Sequence, residues 1–516
     1  MILIKKHRVM LIPLRKCMGA DFGNIKRKPV QYKMQDFMMM DWTLDACQRL
    51  AKVGCYIESP ALEDYKFSGR FQPYEHQRET FDFALVNPRS FIFDQIGTGK
   101  TLSSLWAADY AMKLGLVRKV LITSTLSTLW RVWESEIFHN FMHRSCVVLH
   151  GSAAKRRKLI SEDYDFYIIN HEGLKLLAPE IQKRQDIDLI ICDEGARFRN
   201  QKTDLWKSMN LIGNVDTGRW LWWMTGSPMP KAPTDAWAQA KVVNPGTVPK
   251  YFTRFREQTM YKLNMFKWVP RKGWEDTVYS SLKPSILHKR DDCLDLPECM
   301  FVDHEVKMSK PQLAAYNSLK DNFIAELKDG LITASNEGVK LGKMLQIASG
   351  ASYMDNKEVS YVDCIYKLKE LDGIIEEVGD KLIIFVAFKH SIKVLERWLT
   401  VSRTALSYGI INGDVGTTKR NKIFDEFQNG DLNLIIAHPA AMAHGLTLTA
   451  SNTICWWGPV DDYEIYEQAI GRITRPGQKR MQYIKHLICS PVEKAVYKRL
   501  KNKESMQGIL LDMIKK

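Results

Sequence analysis

The feature that most limits how this chain can fold is a set of short apolar runs that do not alternate with polar residues. Such runs are typical of strands covered on both faces, as in parallel sheets. Helical stripes lie between them and end at signals such as Gly115. The pattern occurs before about residue 228 and again after about 379, so the sequence predicts an α/β protein with two parallel sheets. The runs are Phe91-Ile92-Phe93, Val120-Leu121-Ile122, Tyr167-Ile168-Ile169, Leu189-Ile190-Ile191, Ile383-Ile384-Phe385 and Leu434-Ile435-Ile436.

Composition narrows the class of protein. The 516 residues are 45% hydrophobic and 26% charged, which excludes wholesale disorder. A net charge of +15 points to a polyanionic partner, nucleic acid above all. The apolar runs fall far short of the ~18 residues of a membrane span, and the ten cysteines are scattered as in a reducing compartment. We therefore expect a cytoplasmic protein.

The organisation along the chain predicts three parts. Residues 1–66 carry an excess of Lys and Arg, and we expect them to form an accessory module that binds DNA or a partner, or a wedge packed against the first sheet unit. The first unit is predicted at 67–296, with a helical insertion at about 229–283. The second is predicted at 297–516, with a helical insertion at about 306–378 and a C-terminal helix at about 491–515.

A phosphate-binding loop is predicted where the first strand leads into a helix. The segment is DQIGTGKT, residues 94–101. Gly97 and Gly99, on either side of Thr98, let the backbone amides and the helix N-terminus approach phosphate oxygens. Lys100 would reach the β and γ phosphates, and the Thr101 hydroxyl would bind magnesium. Asp94 occupies the position where the strict P-loop pattern has glycine.

Two further elements carry groups suited to ATP hydrolysis. Asp193 and Glu194 follow a buried strand, at the end where ligands of parallel sheets collect. Asp193 suits magnesium, and Glu194 suits polarising the attacking water. In the second unit, Arg472 and Arg475 are three residues apart and would share one face if that stretch were helical. Arginines of this kind reach a γ phosphate in many ATPases.

The ordered motifs of residues 70–516 resemble those of Swi/Snf-type DNA-dependent ATPases of helicase superfamily two, in particular compact phage or bacterial members. DEGARFRN (193–200) resembles the family's DEGHRxKN, and DQIGTGKT resembles DExGxGKT. QAIGRITRPGQ (468–478) resembles QAxDRxHRxGQ, with Gly471 and Thr474 as departures. TGSPMP (225–230) resembles the motif that couples nucleotide to DNA, and PYEHQ, ending at Gln77, resembles the motif that reads adenine.

The resemblance implies two RecA-like lobes with ATP and Mg²⁺ between them, helical insertions and a small N-terminal accessory region. Expected catalytic residues are Lys100, Asp193, Glu194, Arg472 and Arg475. Expected nucleotide-binding residues are Gln77, Gly97, Thr98, Gly99, Lys100, Thr101 and Gln468, and expected magnesium ligands are Thr101 and Asp193. Expected DNA contacts are Ser127, Asn170, Lys389 and Thr449. His171 shows no metal-ligand spacing and is interpreted as an ordinary polar residue.

The implied function is an ATP-dependent double-stranded DNA translocase that remodels DNA or protein–DNA complexes. Its partner would be double-stranded or branched DNA. The alternative of the same class is a strand-separating or branch-migrating DNA helicase, and an RNA helicase is less favoured. A nucleotide-binding scaffold without turnover is the alternative from another class, and the full set of catalytic residue types argues against it.

Overall fold

The structure is a computed structural model that describes residues 1–67, 69–226, 232–264, 268–293, 297–328, 334–353, 358–442 and 447–502. Side chains are described in these ranges except at 291, 322–328 and 334–337. The chain forms two compact units, Met1–Leu294 (unit 1) and Asp295–Lys516 (unit 2). Each is described below by itself.

Unit 1 begins with a small antiparallel sheet of order β1-β2-β4-β3. Its apolar side shares one core with the following helices, because Trp42 and Leu50 belong to the same buried cluster as Phe81. Buried Asp82 accepts hydrogen bonds from the Ser59 backbone N–H and the Tyr56 hydroxyl. The region expected to be either an accessory module or a wedge therefore packs on the larger sheet of unit 1. Its elements are β1 (Ile2–Ile4), β2 (Val9–Pro13), α1 (Leu14–Cys17), β3 (Arg27–Tyr32), β4 (Gln35–Asp41), α2 (Leu44–Lys52) and α3 (Ala61–Asp64).

The main sheet of unit 1 has seven parallel strands. The strands of unit 1 are β5 (Arg89–Ile92), β6 (Lys119–Ser124), β7 (Cys146–Val148), β8 (Phe166–Asn170), β9 (Ile187–Cys192), β10 (Trp220–Met224), β11 (Met260–Lys262), β12 (Trp268–Pro270) and β13 (Ser285–Ile286). The order is β13-β5-β10-β9-β6-β8-β7, and β11 and β12 form a separate hairpin. Successive residues point to opposite faces, so Trp222 and Trp223 are both fully buried but in different cores.

Helices cover both faces of this sheet. They are α4 (Glu75–Val86), α5 (Lys100–Lys113), α6 (Ser135–Asn140), α7 (Ala153–Ser161), α8 (His171–Lys183), α9 (Asp204–Gly213), α10 (Asp235–Val243), α11 (Phe252–Thr259), α12 (Trp274–Ser281) and α13 (Arg290–Cys293). The stretch expected to be a helical insertion thus holds α10 to α12 and, in addition, the hairpin β11–β12. That hairpin was not predicted, because its three-residue strands carry too few residues to show a periodicity.

Unit 2 has six parallel strands in the order β14-β21-β20-β17-β19-β18. Its strands are β14 (Cys299–Glu305), β15 (Ala351–Tyr353), β16 (Val359–Tyr361), β17 (Leu382–Phe385), β18 (Tyr408–Ile411), β19 (Leu434–Ala437), β20 (Thr453–Trp456) and β21 (Gln482–Ile488). Its helices are α14 (Lys310–Lys328), α15 (Ala334–Ala348), α16 (Ile365–Val378), α17 (Lys389–Ser402), α18 (Thr417–Asn429), α19 (Tyr463–Ile470) and α20 (Pro491–Lys501). The predicted C-terminal helix, at about 491–515, corresponds to α20 as far as Lys501, and the rest of that prediction lies outside the described residues.

The predicted fold class is confirmed: each unit contains a parallel sheet with helices on both faces. All six apolar runs lie in or directly beside strands of these two sheets. The ten cysteines carry no disulfide bond, as expected. In the part of the chain that the structure describes, no helix is long and apolar enough to cross a membrane.

Candidate nucleotide site

The phosphate loop, residues 94–101, joins β5 to α5 at the carboxyl end of the strand. Gly97 and Gly99 both have left-handed backbone angles, with φ of +93° and +85°. A Cβ atom at Gly99 would lie 2.0 Å from the Gln77 side-chain nitrogen. The left-handed backbone angle therefore favours glycine at this position, and a larger residue would also have to displace the end of the Gln77 side chain.

Lys100 is the first residue of α5, and its ammonium group bends back over the loop. Its Nζ donates hydrogen bonds to the backbone carbonyls of Asp94 and Gln95, the latter at 3.2 Å. Among the described residues the ammonium has no carboxylate partner. An anion near the loop can thus replace the neutral carbonyls as the partner of Lys100 without first breaking an ion pair. A hydrogen bond from the ammonium to an anion is stronger than one to a neutral carbonyl.

Gln77, which the resemblance assigns to the motif that reads adenine, lies beside the loop. Its side-chain oxygen accepts from the Tyr74 backbone N–H at 3.0 Å, and its nitrogen donates to the Gly99 carbonyl at 3.5 Å. The neighbouring His76 contacts the Thr98 carbonyl at 2.8 Å. The start of α4 is thereby attached to the glycine-rich turn.

Asp193 directly follows β9, and its carboxylate is held from two sides. Oδ2 accepts from the Ser124 hydroxyl at 2.7 Å and from the buried Trp133 indole N–H at 3.2 Å. Trp133 lies in a π-helical turn, Leu129–Glu134, a form common at functional sites. Sequence reasoning missed that Trp133 orients the carboxylate.

Glu194 has a left-handed backbone, with φ of +50°, which is strained for a residue with a Cβ. The Asp193 carbonyl just before it accepts a hydrogen bond from His171 Nε2 at 2.9 Å. Burial lowers the pKa of His171 to about 4, so the ring is neutral. The interpretation of His171 as an ordinary polar residue was therefore incomplete, because its buried ring supports the turn that presents Asp193 and Glu194.

The loop and the acidic pair lie on one edge of the sheet. β10 separates β5 from β9, so the two carboxyl ends are two strand spacings apart, about 10 Å. That edge therefore carries Lys100 and Thr101 on one side and Asp193 and Glu194 on the other. The strand between them leads to the TGSPMP motif, whose residues 227–230 lie outside the described residues.

A network that sequence reasoning missed connects the loop to residues far along the chain. The buried Asp94 carboxylate accepts from the Thr80 hydroxyl at 2.7 Å and from the His288 backbone N–H at 2.9 Å. His288 places Nδ1 2.9 Å from the same carboxylate and Nε2 2.8 Å from Glu79. Gln95 accepts from the Arg290 backbone N–H at 2.9 Å. The departure from glycine at position 94 thus fixes residues 288–290 against the loop.

This network also changes the protonation of His288. Burial lowers the pKa of His288, but the hydrogen bonds and charges of Asp94 and Glu79 outweigh it and raise the pKa above its ordinary value. The side chain is only 11% exposed, so the two carboxylates are its main partners. A protonated His288 can donate to both carboxylates at once.

The arginine turn of unit 2, residues 471–478, follows α19 and is not helical, so the condition for Arg472 and Arg475 to share a helix face is not met. Arg472 is 1% exposed, and its Nε donates to the Gln468 carbonyl at 2.9 Å. Arg475 is half-buried and donates to the Gly471 carbonyl at 2.7 Å and the Thr447 hydroxyl at 3.3 Å. Gln468 is also buried. Arg475 is therefore the more exposed of the two residues, although burial lowers its pKa to about 10.

The four expected DNA contacts form one neighbouring pair and one separated pair. Ser127 follows β6 and Asn170 ends β8, and these adjacent parallel strands end at the same edge. Lys389 follows the carboxyl end of β17, where its ammonium pairs with Asp414 at 2.7 Å. Thr449 precedes the amino end of β20 and contacts Gln428 at 3.4 Å. The last two residues thus lie at opposite edges of the second sheet.

Magnesium has suitable ligands at the edge of the first sheet. Within the described ranges, no three His, Cys, Asp or Glu side chains form a metal cluster. Mg²⁺ needs fewer than three protein ligands, because it keeps several waters and is held by one or two side chains together with substrate phosphates. The oxygens of Thr101, in the first turn of α5, and of Asp193 fit that requirement.

Comparison with known proteins identifies the family. The family model described as SNF2-related domain matches residues 68–354, and the one described as Helicase conserved C-terminal domain matches residues 366–477. The first match covers more than half of the chain. The chain therefore belongs to the SNF2-related family of helicase superfamily two, a family of DNA-dependent ATPases, and the resemblance seen in its motifs is confirmed.

Individual relatives are distant in sequence. Protein p41 of Acyrthosiphon pisum secondary endosymbiont phage 1 is 25% identical over 86% of this chain and 99% of its own length. The DNA repair and recombination protein RAD54-like of Drosophila persimilis is 23% identical over 87% of this chain, and the alignment spans only 64% of that relative. A solved Sulfolobus solfataricus SWI2/SNF2 ATPase core in complex with dsDNA is 21% identical, covers 85% of this chain and 92% of that one, and gives a TM-score of 0.42.

Proposed function

We propose that this chain is an ATP-dependent double-stranded DNA translocase that remodels DNA or removes bound proteins, with ATP hydrolysed between its two units. The observation that carries the proposal is the shared edge of the first sheet. There a glycine-rich loop with an exchangeable lysine lies about 10 Å from an oriented Asp-Glu pair. These are the parts that phosphoryl transfer to water requires.

Each residue of unit 1 has a distinct role in this proposal. The amides of Gly97 to Lys100 surround the phosphates at the N-terminus of α5, and Lys100 exchanges its carbonyl partners for phosphate oxygens. Gln77 contacts the adenine side of ATP. Glu194, presented by the strained turn, orients the attacking water and accepts its proton.

Magnesium, held by Thr101 and Asp193, would neutralise charge on the β and γ phosphates. Asp193 is suited to this because Ser124 and Trp133 fix its carboxylate before any ligand arrives. From unit 2, Arg475 supplies the positive charge that stabilises the departing γ phosphate. Arg472 and Gln468 hold the arginine turn in shape.

Duplex DNA is proposed as the track. The net charge of +15 favours a polyanion, and relatives such as the RAD54-like proteins are named for DNA repair and recombination. Ser127, Asn170, Lys389 and Thr449 are proposed to contact the phosphate backbone. Such contacts carry little sequence information, so binding should be weakly sequence-specific and steeply salt-dependent.

The test is the ATPase rate with no nucleic acid and with single-stranded DNA, duplex DNA, forked DNA or RNA. The proposal predicts the largest stimulation by duplex DNA, with the Glu194→Gln variant binding ATP but inactive under every condition. Stimulation by RNA and not by duplex DNA would overturn the proposed track. Turnover at the wild-type rate in Glu194→Gln would overturn the site.

A second assay separates translocation from strand separation. A translocase on duplex DNA displaces the third strand of a triplex while the underlying duplex stays paired. A strand-separating helicase releases a strand from a forked duplex of the same sequence. We expect ATP-dependent triplex displacement without strand release, and the reverse result would favour the helicase alternative.

A further inference from the structure

The N-terminal hairpin, formed by β3 and β4 (residues 27–41), has a surface that the motor function does not explain. β3 is an edge strand of its sheet, and the two strands meet in a tight turn at Lys33 and Met34. Met34 is 93% exposed and Tyr32 is 42% exposed. The tip of the hairpin therefore presents large side chains to solvent instead of burying them.

The positive charge of this module is mostly unpaired. Residues 1–41 contain nine Lys and Arg against three Asp. Two of the nine are paired: Lys5 with Glu58 and Glu63, and Arg8 with Asp64. Among the described residues the other seven have no ion pair, and all are exposed. The seven are Lys6, Arg15, Lys16, Lys26, Arg27, Lys28 and Lys33.

The turn at the hairpin tip is built from residues that do not favour its shape. Lys33 and Met34 both have left-handed backbone angles, with φ of +47° and +60°. Two-residue turns of this kind favour Asn-Gly or Asp-Gly, because residues with larger side chains are strained there. Strain of this kind persists where the side chains serve a function.

Protection of the sheet edge explains only part of this arrangement. Lysine and proline on an edge strand discourage pairing with other chains, which suits Lys28 and Pro29. Edge protection does not require Lys26 ahead of the strand, a lysine at the turn, or an exposed methionine next to it. Exposed lysines such as Lys33, whose ammonium lies over the Tyr32 ring, suit contact with a polyanion.

We propose that the N-terminal hairpin binds the phosphate backbone of the same duplex on which the motor acts, through Lys26, Arg27, Lys28 and Lys33. The inference rests on the proposed function, because it takes DNA as the track. It adds a contact outside the two parallel sheets, which would keep the protein on DNA while the motor changes conformation.

The chain offers a matched pair of variants to test this. Lys28→Gln with Lys33→Gln removes two unpaired cations from the hairpin. Lys5→Gln with Arg8→Gln removes two cations from the same module that acidic side chains already neutralise. Both double variants lower the net charge by the same amount and alter only exposed side chains, and thermal unfolding checks that both remain folded.

The measurement is the affinity for a duplex at several salt concentrations, together with the ATPase rate without DNA. The hairpin variant should lower the slope of log affinity against log salt by about 2, since each phosphate contact contributes about 0.9, and should weaken binding roughly tenfold at low salt. The paired-cation variant should leave the slope unchanged. The ATPase rate without DNA should be the same in all three proteins.

Equal slopes for the two double variants would overturn the hairpin proposal. So would aggregation of the hairpin variant with an unchanged slope, since that result assigns its lysines to edge protection. If the wild-type protein binds no duplex at all, the proposed track fails and this proposal with it. The wild-type measurement therefore distinguishes failure of the hairpin from failure of the function.

Discussion

The phosphate loop of unit 1 and the arginine turn of unit 2 are proposed to contact one nucleotide, yet their charged groups are held differently. Among the described residues, the Lys100 ammonium bonds backbone carbonyls, which a phosphate can replace. Arg472 is buried and bonded to its own helix end, whereas Arg475 is half-buried. We propose that this contrast separates side chains that contact a ligand from one that supports the fold, a distinction that the motifs alone do not make.

The largest effect is expected at the loop. Lys100→Ala removes the ammonium that bends back over the phosphate loop, so nucleotide affinity and turnover should both fall. The loss in rate should be on the order of 10² to 10³ or more, as for removal of one electrostatic stabiliser. The measurement is ATP binding by fluorescence and the ATPase rate with duplex DNA.

The control for this variant is Lys113→Ala, at the other end of the same helix. Lys113 pairs with Asp109 far from the loop, so its removal should leave turnover unchanged. Near-normal ATP binding in Lys100→Ala would show that the loop does not hold the phosphates.

Substitution of the two arginines should have different effects, a loss of hydrolysis for Arg475 and a loss of stability for Arg472. Arg475→Gln should reduce hydrolysis about 10³-fold or more while leaving thermal stability nearly unchanged. The matched variant Arg472→Gln should lower the free energy of unfolding by about 1.5 to 3 kcal/mol, because a charged, buried hydrogen-bonding group is lost. ATPase rates and thermal unfolding of both proteins provide the comparison.

The opposite result for the two variants would contradict this assignment. If Arg472→Gln remained fully stable and lost only hydrolysis, the buried arginine would be the catalytic one. The arginine turn would then have to rearrange when nucleotide binds.

The sequence predicted the two sheets well because unalternating apolar runs such as Leu189-Ile190-Ile191 report burial on both faces. It also placed the glycine-rich loop between a strand and a helix, because GTGKT follows an apolar run and precedes a helical stripe. It could not predict the Asp94–His288 contact, because the two residues are 194 positions apart and no local pattern encodes their approach. For the same reason it missed the hydrogen bond from Trp133 to Asp193.

Two histidines of unit 1 should respond to pH in opposite directions. The pKa of His288 is raised in the folded state, so its stabilising contribution is complete below about pH 6.5 and is lost as the pH rises through the raised value. As the pH rises, the free energy of unfolding of the wild type should therefore decrease relative to that of His288→Gln. Urea unfolding of both proteins between pH 6 and 9 measures the difference.

For His171, we expect stability to fall as the pH decreases, which is the opposite of the dependence on His288. Its pKa is lowered to about 4 by burial, so the unfolded chain takes up the proton first and stability falls as the pH drops from about 6.5 towards 4. Urea unfolding of the wild type and His171→Gln in that acidic window measures this loss.

For His288, a pH-independent difference in stability between wild type and His288→Gln above pH 6.5 would count against a protonated bridge between Asp94 and Glu79.

The smallest effect is expected at Lys389, an exposed cation that already pairs with Asp414. Lys389→Gln should lower the salt slope of DNA binding by about 1 and weaken binding at all sequences alike, as loss of one phosphate contact does. Asp414→Asn releases the lysine from its ion pair and should strengthen binding slightly, because the ammonium no longer has to leave a carboxylate to reach a phosphate. Weaker binding in Asp414→Asn would show instead that the pair positions Lys389, and an unchanged slope in Lys389→Gln would remove this residue from the DNA surface.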